Sequence, residues 1–405
     1  MKICFISHSA STAGAERSLL ETIDVLKACG ISSCVLLPYA GPIASALSEM
    51  EVPYAVLPYG TWVGDVDTPL WIRLKEAART LAALVPVCVR IKRWGCDIIY
   101  TNTSTVVVGA VAAKILRKPH VWHVREFNSP DHGLSFLFGQ EFSPRLISRS
   151  TSLCIANSRA VAEKYAPYIP SPQLTVIYNS MHLAHAGVGT AARSIPLPTP
   201  KRHFRCVTIG RLEKRKRQED AIEAVAQLAA DGFAVELLIV GDGDGSYSQS
   251  LQSTVEKHRL QDMVKFMGQV DNPQSLIQSA DAILVCSSEE AFGRVTVEGM
   301  LAGKPVIGAK TGGTAELIEQ GFNGLLFEVA NASQLAQKIR FLYENPAEAR
   351  RLGENSKRWA EKTFTKRRYS KELLAVLASL GKASTPACLP EQGDRNAAVA
   401  ANQQA

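Results

Sequence analysis

Ser287-Ser288-Glu289-Glu290-Ala291-Phe292-Gly293-Arg294-Val295-Thr296-Val297-Glu298, continued by GMLAGKPVIG, follows directly on the apolar run Asp281 to Cys286, DAILVC. The run reads as a buried parallel strand, and the polar stretch as a loop that turns at Gly293 into a helix. Glu290 then stands on the loop, and Glu298 about two turns into the helix. A helix start offers unpaired N–H groups and a positive dipole end, which suit a phosphate, while carboxylates suit sugar and ribose hydroxyls. Spacing alone does not decide the matter, because a surface glutamate and a helix cap give the same letters.

Outward from this stretch the chain repeats its pattern. Ile3 to Ile6, Ser33 to Leu37, Tyr54 to Leu57, Asp97 to Tyr100, Val121 to Val124, Leu153 to Ala156 and Leu174 to Tyr178 are short apolar runs separated by helical patterns. Such alternation predicts a parallel, doubly wound sheet, whose ligands bind at the carboxyl ends of strands. Three of those ends are polar: His8-Ser9, Thr101-Asn102-Thr103 and His123-Val124-Arg125-Glu126. Residues 184–203 lose apolar periodicity and collect Gly, Pro and Ala, as a domain linker does. The expected organisation is an N-terminal domain over 1–183, the linker 184–203, a second domain over 204–363, a terminal helix over 364–381 and a disordered tail over 382–405.

At 405 residues and 46% hydrophobic content the chain accommodates two α/β domains with sizeable cores. A net charge of +7 favours anionic partners such as nucleotide diphosphates or acidic lipid surfaces, and no nucleic-acid motif accompanies it. Nine cysteines with no C-x-x-C pair, mostly inside apolar runs, predict reduced core thiols and a cytoplasmic setting. Met1-Lys2 leads straight into an apolar strand, unlike a signal peptide, and no run is long enough to cross a bilayer.

Several local patterns carry chemistry. After the strand around Cys206 to Ile209, Arg211 and Lys216 sit on a basic loop, where two cations could converge on a diphosphate and neutralise a leaving group. Lys214, Arg215 and Arg217 read as a solvated face. Gly14 precedes a helix whose Leu19, Leu20, Ile23 and Leu26 recur at helical spacing; Ser11 or Thr12 would cap it if the turn were merely structural. Gly241-Asp242-Gly243-Asp244-Gly245 lacks the glycine at 246 that a dinucleotide fingerprint needs, and has Tyr247 where a calcium loop needs glycine, so it reads as a turn. His120 and His123 lie three apart on a strand, on opposite faces, which rules out a shared metal. Asp65-Val66-Asp67 mimics a metal-binding D-x-D but has no strand before it. Between Pro69 and Gly95, Arg73, Lys75, Arg79, Arg90, Lys92 and Arg93 flank Trp71, Leu74, Leu81, Leu84 and Val89. This basic amphipathic segment suits an anionic membrane surface, or equally a sheet-covering helix kinked near Pro86.

The string E-A-F-G-R-V-T-V-E-G-M-L-A-G-K-P-V-I-G resembles the E-x7-E segment of retaining glycosyltransferases of family 4. Ala13-Gly14-Ala15-Glu16 resembles that family's Gly-Gly-x-Glu turn with the first glycine replaced, WHVRE its segment around the strand-end histidine, Val176 to Ser180 its V-x-x-N-G, and Thr311 to Glu316 its G-G-x-x-E. The likeness covers about residues 1 to 380 and implies two Rossmann-like domains facing across a cleft, the GT-B architecture. It further implies metal-independent, cofactor-free, retaining transfer from a nucleotide-diphosphate sugar to a glycan or lipid-linked acceptor at the inner face of the cell membrane, with domain closure excluding water. In that scheme Glu290 meets donor sugar hydroxyls and Glu298 the ribose. Arg211 and Lys216 hold the diphosphate, Gly14 and the amides of Phe292, Gly293, Arg294 and Val295 the phosphate, and His123 lies near the reacting carbon. A nucleotide-sugar-binding scaffold without turnover, or an epimerase on the same architecture, is the competing expectation.

Overall fold

The structure, a computed structural model, describes residues 1–380 except 66–67, 128–133, 137–138, 140, 182–202, 244 and 271. Nearly all of the expected linker, the expected tail and two residues of the D-x-D therefore lie outside the described residues. Two compact units are present, the first formed by Met1–Ser180 with the segment from Phe364 onward, the second by Met181–Thr363.

The first unit holds β1 (Lys2–Ile6), β2 (Ser32–Leu37), β3 (Tyr54–Val56), β4 (Val63–Asp65), β5 (Ile98–Thr101), β6 (His120–Val124), β7 (Leu134–Phe136), β8 (Leu153–Ala156) and β9 (Leu174–Val176). Seven of them form a parallel sheet in the order β3-β2-β1-β5-β6-β8-β9. The remaining two, β4 and β7, pair antiparallel, with Val63 opposite Phe136. They are three residues each and carry no alternation that periodicity could detect. Helices α1 (Gly14–Ala28), α2 (Ile43–Glu49), α3 (Leu70–Trp94), α4 (Val108–Leu116), α5 (Phe142–Ser150) and α6 (Arg159–Tyr165) connect the strands. Leu19, Ile23 and Leu26 of α1 bury themselves against Ile3, Phe5, Val35 and Leu37, the sheet face that their helical spacing predicts. Pro86 sits inside α3 without ending it.

The second unit holds β10 (Phe204–Ile209), β11 (Val235–Val240), β12 (Val264–Gly268), β13 (Ala282–Val285), β14 (Val306–Ala309) and β15 (Leu325–Phe327), in the order β12-β11-β10-β13-β14-β15. Its helices are α7 (Gln218–Ala230), α8 (Gly245–Lys257), α9 (Gln274–Ser279), α10 (Arg294–Leu301), α11 (Gly312–Leu317), α12 (Ala332–Glu344) and α13 (Pro346–Thr363). All six residues of β11 are buried, as in a strand covered on both faces. Glu236 is tolerated there because the Arg205 Nε of β10, its register partner, donates to it at 2.5 Å. The last helix, α14 (Lys366–Ala378), belongs to the first unit, where Tyr369, Leu373, Leu374 and Leu377 join the core beneath α1.

Both sheets share one wiring. Successive strands run outward from β1 through β2 to β3, then restart on its other side at β5; β10, β11, β12 and β13 do the same. The crevice where the order reverses is where open α/β sheets bind ligands. In the first unit it lies at the ends of β1 and β5, and in the second at the ends of β10 and β13.

Candidate functional site

In the second unit β10 delivers Gly210 and Arg211, followed by a single 3-10 turn, Lys214–Lys216. Beside it β13 delivers Cys286 and the polar loop to Gly293. The two loops are tied together: the Ser288 amide donates to the Arg215 carbonyl at 2.9 Å, and the Ser288 hydroxyl to the same oxygen at 3.2 Å. This tie brings Lys216 Nζ to 2.7 Å from Glu290 Oε2. Both side chains are 19% exposed, so the pair is shielded enough to form and open enough to exchange for a ligand. Burial pushes the Glu290 carboxyl up, but Lys216, Ser287 and Arg215 together outweigh it and the group sits below the usual carboxylate range. Arg211 is exposed and forms no ion pair among the described residues, leaving its guanidinium available at the same loop.

The floor of the loop is set by α11. The Gly313 amide donates to the Glu290 carbonyl at 2.6 Å, and Gly312, at φ +49°, lies so close that a Cβ would fall 2.5 Å from that oxygen. Only glycine fits both conditions. Helix α10 starts at Arg294 after a left-handed Gly293, which has no side chain to cap the first turn. Glu298 is the fifth residue of α10, just over one turn in rather than two, because Phe292 and Gly293 remain in the loop. Its carboxylate lies 3.8 Å from Arg294 Nε, on the same helical face. Phe292 is buried, and Val295 half-buried.

One expectation about the basic loop needs correction. Arg217 is not simply solvated: it adopts the left-handed conformation at φ +50°, and Nε and Nη2 both reach Asp220 at 2.7 Å. Arg215 Nη2 pairs with Glu213 at 2.7 Å. The glycine run after β11 is a packing device, since a Cβ on Gly241 would lie 2.0 Å from the Gly210 carbonyl oxygen.

In the first unit the polar ends of β1, β5 and β6 also converge. Gly14 is the exposed first residue of α1, and the N-cap is Ala13; neither Ser11 nor Thr12 occupies that position. Glu16, two residues on, is 1% exposed, lies 3.2 Å from His8 Nδ1 and accepts the Ser11 hydroxyl at 3.2 Å. The Asn102 amide donates to the Ala15 carbonyl at 3.0 Å, fixing the helix start to the end of β5.

His123 is fully buried, with Tyr100 Oη 2.6 Å and Arg125 Nη2 3.0 Å from Nδ1. A guanidinium can only donate, so Nδ1 accepts and the ring proton resides on Nε2, which has no partner among the described residues. Burial, and then Arg125, hold this imidazole well below its usual range, so it is neutral. Arg125 also donates to the Asn102 carbonyl and Oδ1 at 3.2 and 3.1 Å and to Asn179 Oδ1 at 2.7 Å. His120 bonds Thr101 at 2.8 Å while His123 bonds Tyr100, so the two histidines serve opposite sheet faces.

Sequence reasoning missed Tyr100, the contact of Asn179 with Arg125 and the clamp on Glu126. Glu126 Oε1 accepts the Ser104 amide at 2.6 Å and its hydroxyl at 2.8 Å, while burial pushes its carboxyl up. Each lies at a strand end, the one signal that marks them in advance. From α14, Arg368 Nη2 donates to the Tyr178 carbonyl at 2.6 Å, and Tyr369 Oη lies 2.8 Å from Thr22 Oγ1.

Comparison with known proteins gives two family matches that together follow this layout: Glycosyltransferase Family 4 over residues 12–185, and Glycosyl transferases group 1 over residues 194–359. The N-acetyl-alpha-D-glucosaminyl L-malate synthase of Bacillus anthracis is 34% identical over 37% of this chain and 39% of its own length. The lipopolysaccharide core biosynthesis glycosyltransferase LpsE of Rhizobium meliloti is 26% identical over 57% of this chain and 65% of its length. Matched stretches thus span only about a third to two fifths of the first curated relatives. Among solved structures, Anabaena HepE in complex with UDP-glucose superposes with a TM-score of 0.76 at 27% identity, covering 94% of this chain and all of that one.

Proposed function

The chain belongs to glycosyltransferase family 4, with its two parallel-sheet α/β domains of the GT-B kind, and from that premise we propose that it moves a sugar from a nucleotide diphosphate to a glycan or lipid-linked acceptor. The observation that carries this reading is the Lys216–Glu290 pair at the strand-order reversal of the second unit. A donor entering there exchanges the internal ion pair for two better-matched contacts. Lys216 and Arg211 take the diphosphate, and Glu290, released, accepts sugar hydroxyls. Glu298 takes the ribose. The uncapped first turn of α10, with the amides of Phe292 to Val295, faces phosphate, and Gly14 gives the same opportunity at α1.

The transfer is retaining and needs no metal. The bond from the anomeric carbon to the leaving phosphate oxygen breaks, the acceptor oxygen takes that carbon on the same face, and the acceptor proton passes to a phosphate oxygen of the departing diphosphate. Cations already in place stabilise the developing charge without reorganisation. His123 holds a neutral ring whose Nε2–H has no partner among the described residues, and its role is to donate to the sugar near the reacting carbon. A uridine diphosphate sugar is the first donor to test, because HepE was solved with UDP-glucose.

Acceptor delivery involves α3. Its Thr80, Ala83, Val87 and Ile91 face the core, while Trp71, Leu74, Leu81 and Val85 are each more than 60% exposed, with Lys75, Arg79, Arg90 and Arg93 along the same helix. No helix among the described residues is long and apolar enough to cross a membrane. An apolar stripe edged by cations is suited to lie in the plane of an anionic bilayer surface, and this supports the reading of an enzyme that works at the cytoplasmic face of a membrane carrying its acceptor.

The test is a thermal-shift screen against nucleoside diphosphates and their sugars without added metal, repeated with Glu290→Ala and Arg211→Ala. One diphosphate sugar is expected to raise the melting temperature of the wild type and do so much less in both variants, with nucleotide release following the same order. Equal shifts in all three proteins would remove the site. Tight binding with no release or transfer would leave a scaffold.

A further inference from the structure

Outside the donor site, one cluster of chemically competent side chains is left unexplained by the transfer reaction. Cys4 of β1 and Cys34 of β2 are register partners and so point to the same sheet face. Cys96 reaches that face from the turn after α3, just past the left-handed Gly95. All three sulfurs lie within 4.8 Å of one another, with Cys34 Sγ 3.4 Å from Cys96 Sγ, and the residues are 0–1% exposed.

We infer that Cys4, Cys34 and Cys96 form a three-sulfur binding site for a soft, thiophilic metal ion of the copper(I) class. Three sulfurs bound at ~2.3 Å to one ion in a plane stand ~4 Å apart, inside the range seen here. No carboxylate or imidazole belongs to the cluster, which disfavours hard oxygen-seeking cations. Zinc prefers four ligands, and the cluster offers three. Cys154 is also buried but stands outside this cluster. Binding is ligand exchange without redox change, each coordinating thiol giving its proton to the buffer.

The experiment titrates the full chain anaerobically with copper(I) alone, in a Cys88→Ser/Cys388→Ser background that removes the half-buried thiol and the thiol beyond the described residues. One equivalent is expected to bind, with a near-ultraviolet thiolate-to-copper absorption and a melting temperature that climbs with excess copper. Cys34→Ser and Cys96→Ser should each weaken binding ~10-fold or more, and Cys154→Ser should not change it. Absence of the absorption in the wild-type cluster, or binding that survives both substitutions, overturns the proposal. Should the cluster variants fail to fold, X-ray absorption on the copper-loaded parent decides. A shell of three sulfurs supports the site, and a shell of nitrogen, oxygen or two sulfurs overturns it.

Discussion

The polar strand ends of the two units share one wiring and carry opposite chemistry. At the ends of β5 and β6, Arg125 spends its guanidinium on Asn102, Asn179 and His123, and every one of these is buried. At the ends of β10 and β13, Lys216 spends its ammonium on one carboxylate that is still partly open, and Arg211 stands exposed. A buried network of several bonds to one guanidinium fixes geometry, whereas a single shielded, partly open ion pair is ready to be traded for a ligand. Substitutions at the two sites should therefore fail in different currencies, the first in stability and the second in turnover.

The largest effect is expected at the second site. Lys216→Ala should lower transfer by ~100-fold or more while leaving the melting temperature nearly unchanged, because it removes a charge aimed at the leaving diphosphate. Nucleotide release measured alongside thermal unfolding checks this; a stability loss without a turnover loss would make the two sites alike. Next comes Arg125→Leu, which strands the side-chain oxygens of Asn102 and Asn179 and should destabilise the first unit by ~2–3 kcal/mol in denaturant unfolding. A neutral outcome there would mean the network is replaceable and does not set geometry.

Acidification sharpens the contrast further. His120 is held at about 3 by burial, and His123 also lies well below its usual range. Their folded values lie below the unfolded one, so the unfolded chain binds the protons first and stability falls as pH drops below about 6.5. Each buried histidine should account for a loss of ~1 kcal/mol between pH 7 and 5.5. His120→Gln should remove about half of that slope in pH-dependent unfolding, and an unchanged slope would show that the loss arises elsewhere.

Legibility followed the physics of each feature. Continuous apolar runs such as Ala282 to Val285 announce buried parallel strands, and Leu19, Ile23 and Leu26 announce a sheet-covering helix, because burial acts on side chains the sequence prints directly. Polar strand ends could be located, but not their partners. Nothing local to His123 says that Tyr100 and Arg125 share its Nδ1, since those contacts are fixed by strand register. The Arg205–Glu236 pair was invisible for the same reason. Short β4 and β7 offered too few residues for any period.

The smallest predicted effect concerns a residue where sequence and backbone disagree. Arg217 follows Lys216 and takes a left-handed conformation that a residue with a Cβ adopts at a penalty of ~1–2 kcal/mol. It is held there by two 2.7 Å bonds to the buried Asp220, charge-assisted contacts that offset the strain. Arg217→Gly relieves the backbone but abandons Asp220, so it should fall within ~1 kcal/mol of the wild type. Arg217→Ala abandons Asp220 and keeps the Cβ, and should lie ~1 kcal/mol below the glycine variant. Unfolding of the three proteins separates the terms: glycine against alanine reads the backbone, and wild type against glycine reads the ion pair less that strain. Equal stabilities for glycine and alanine would remove the strain from the account, leaving Asp220 alone to explain why an arginine occupies this turn.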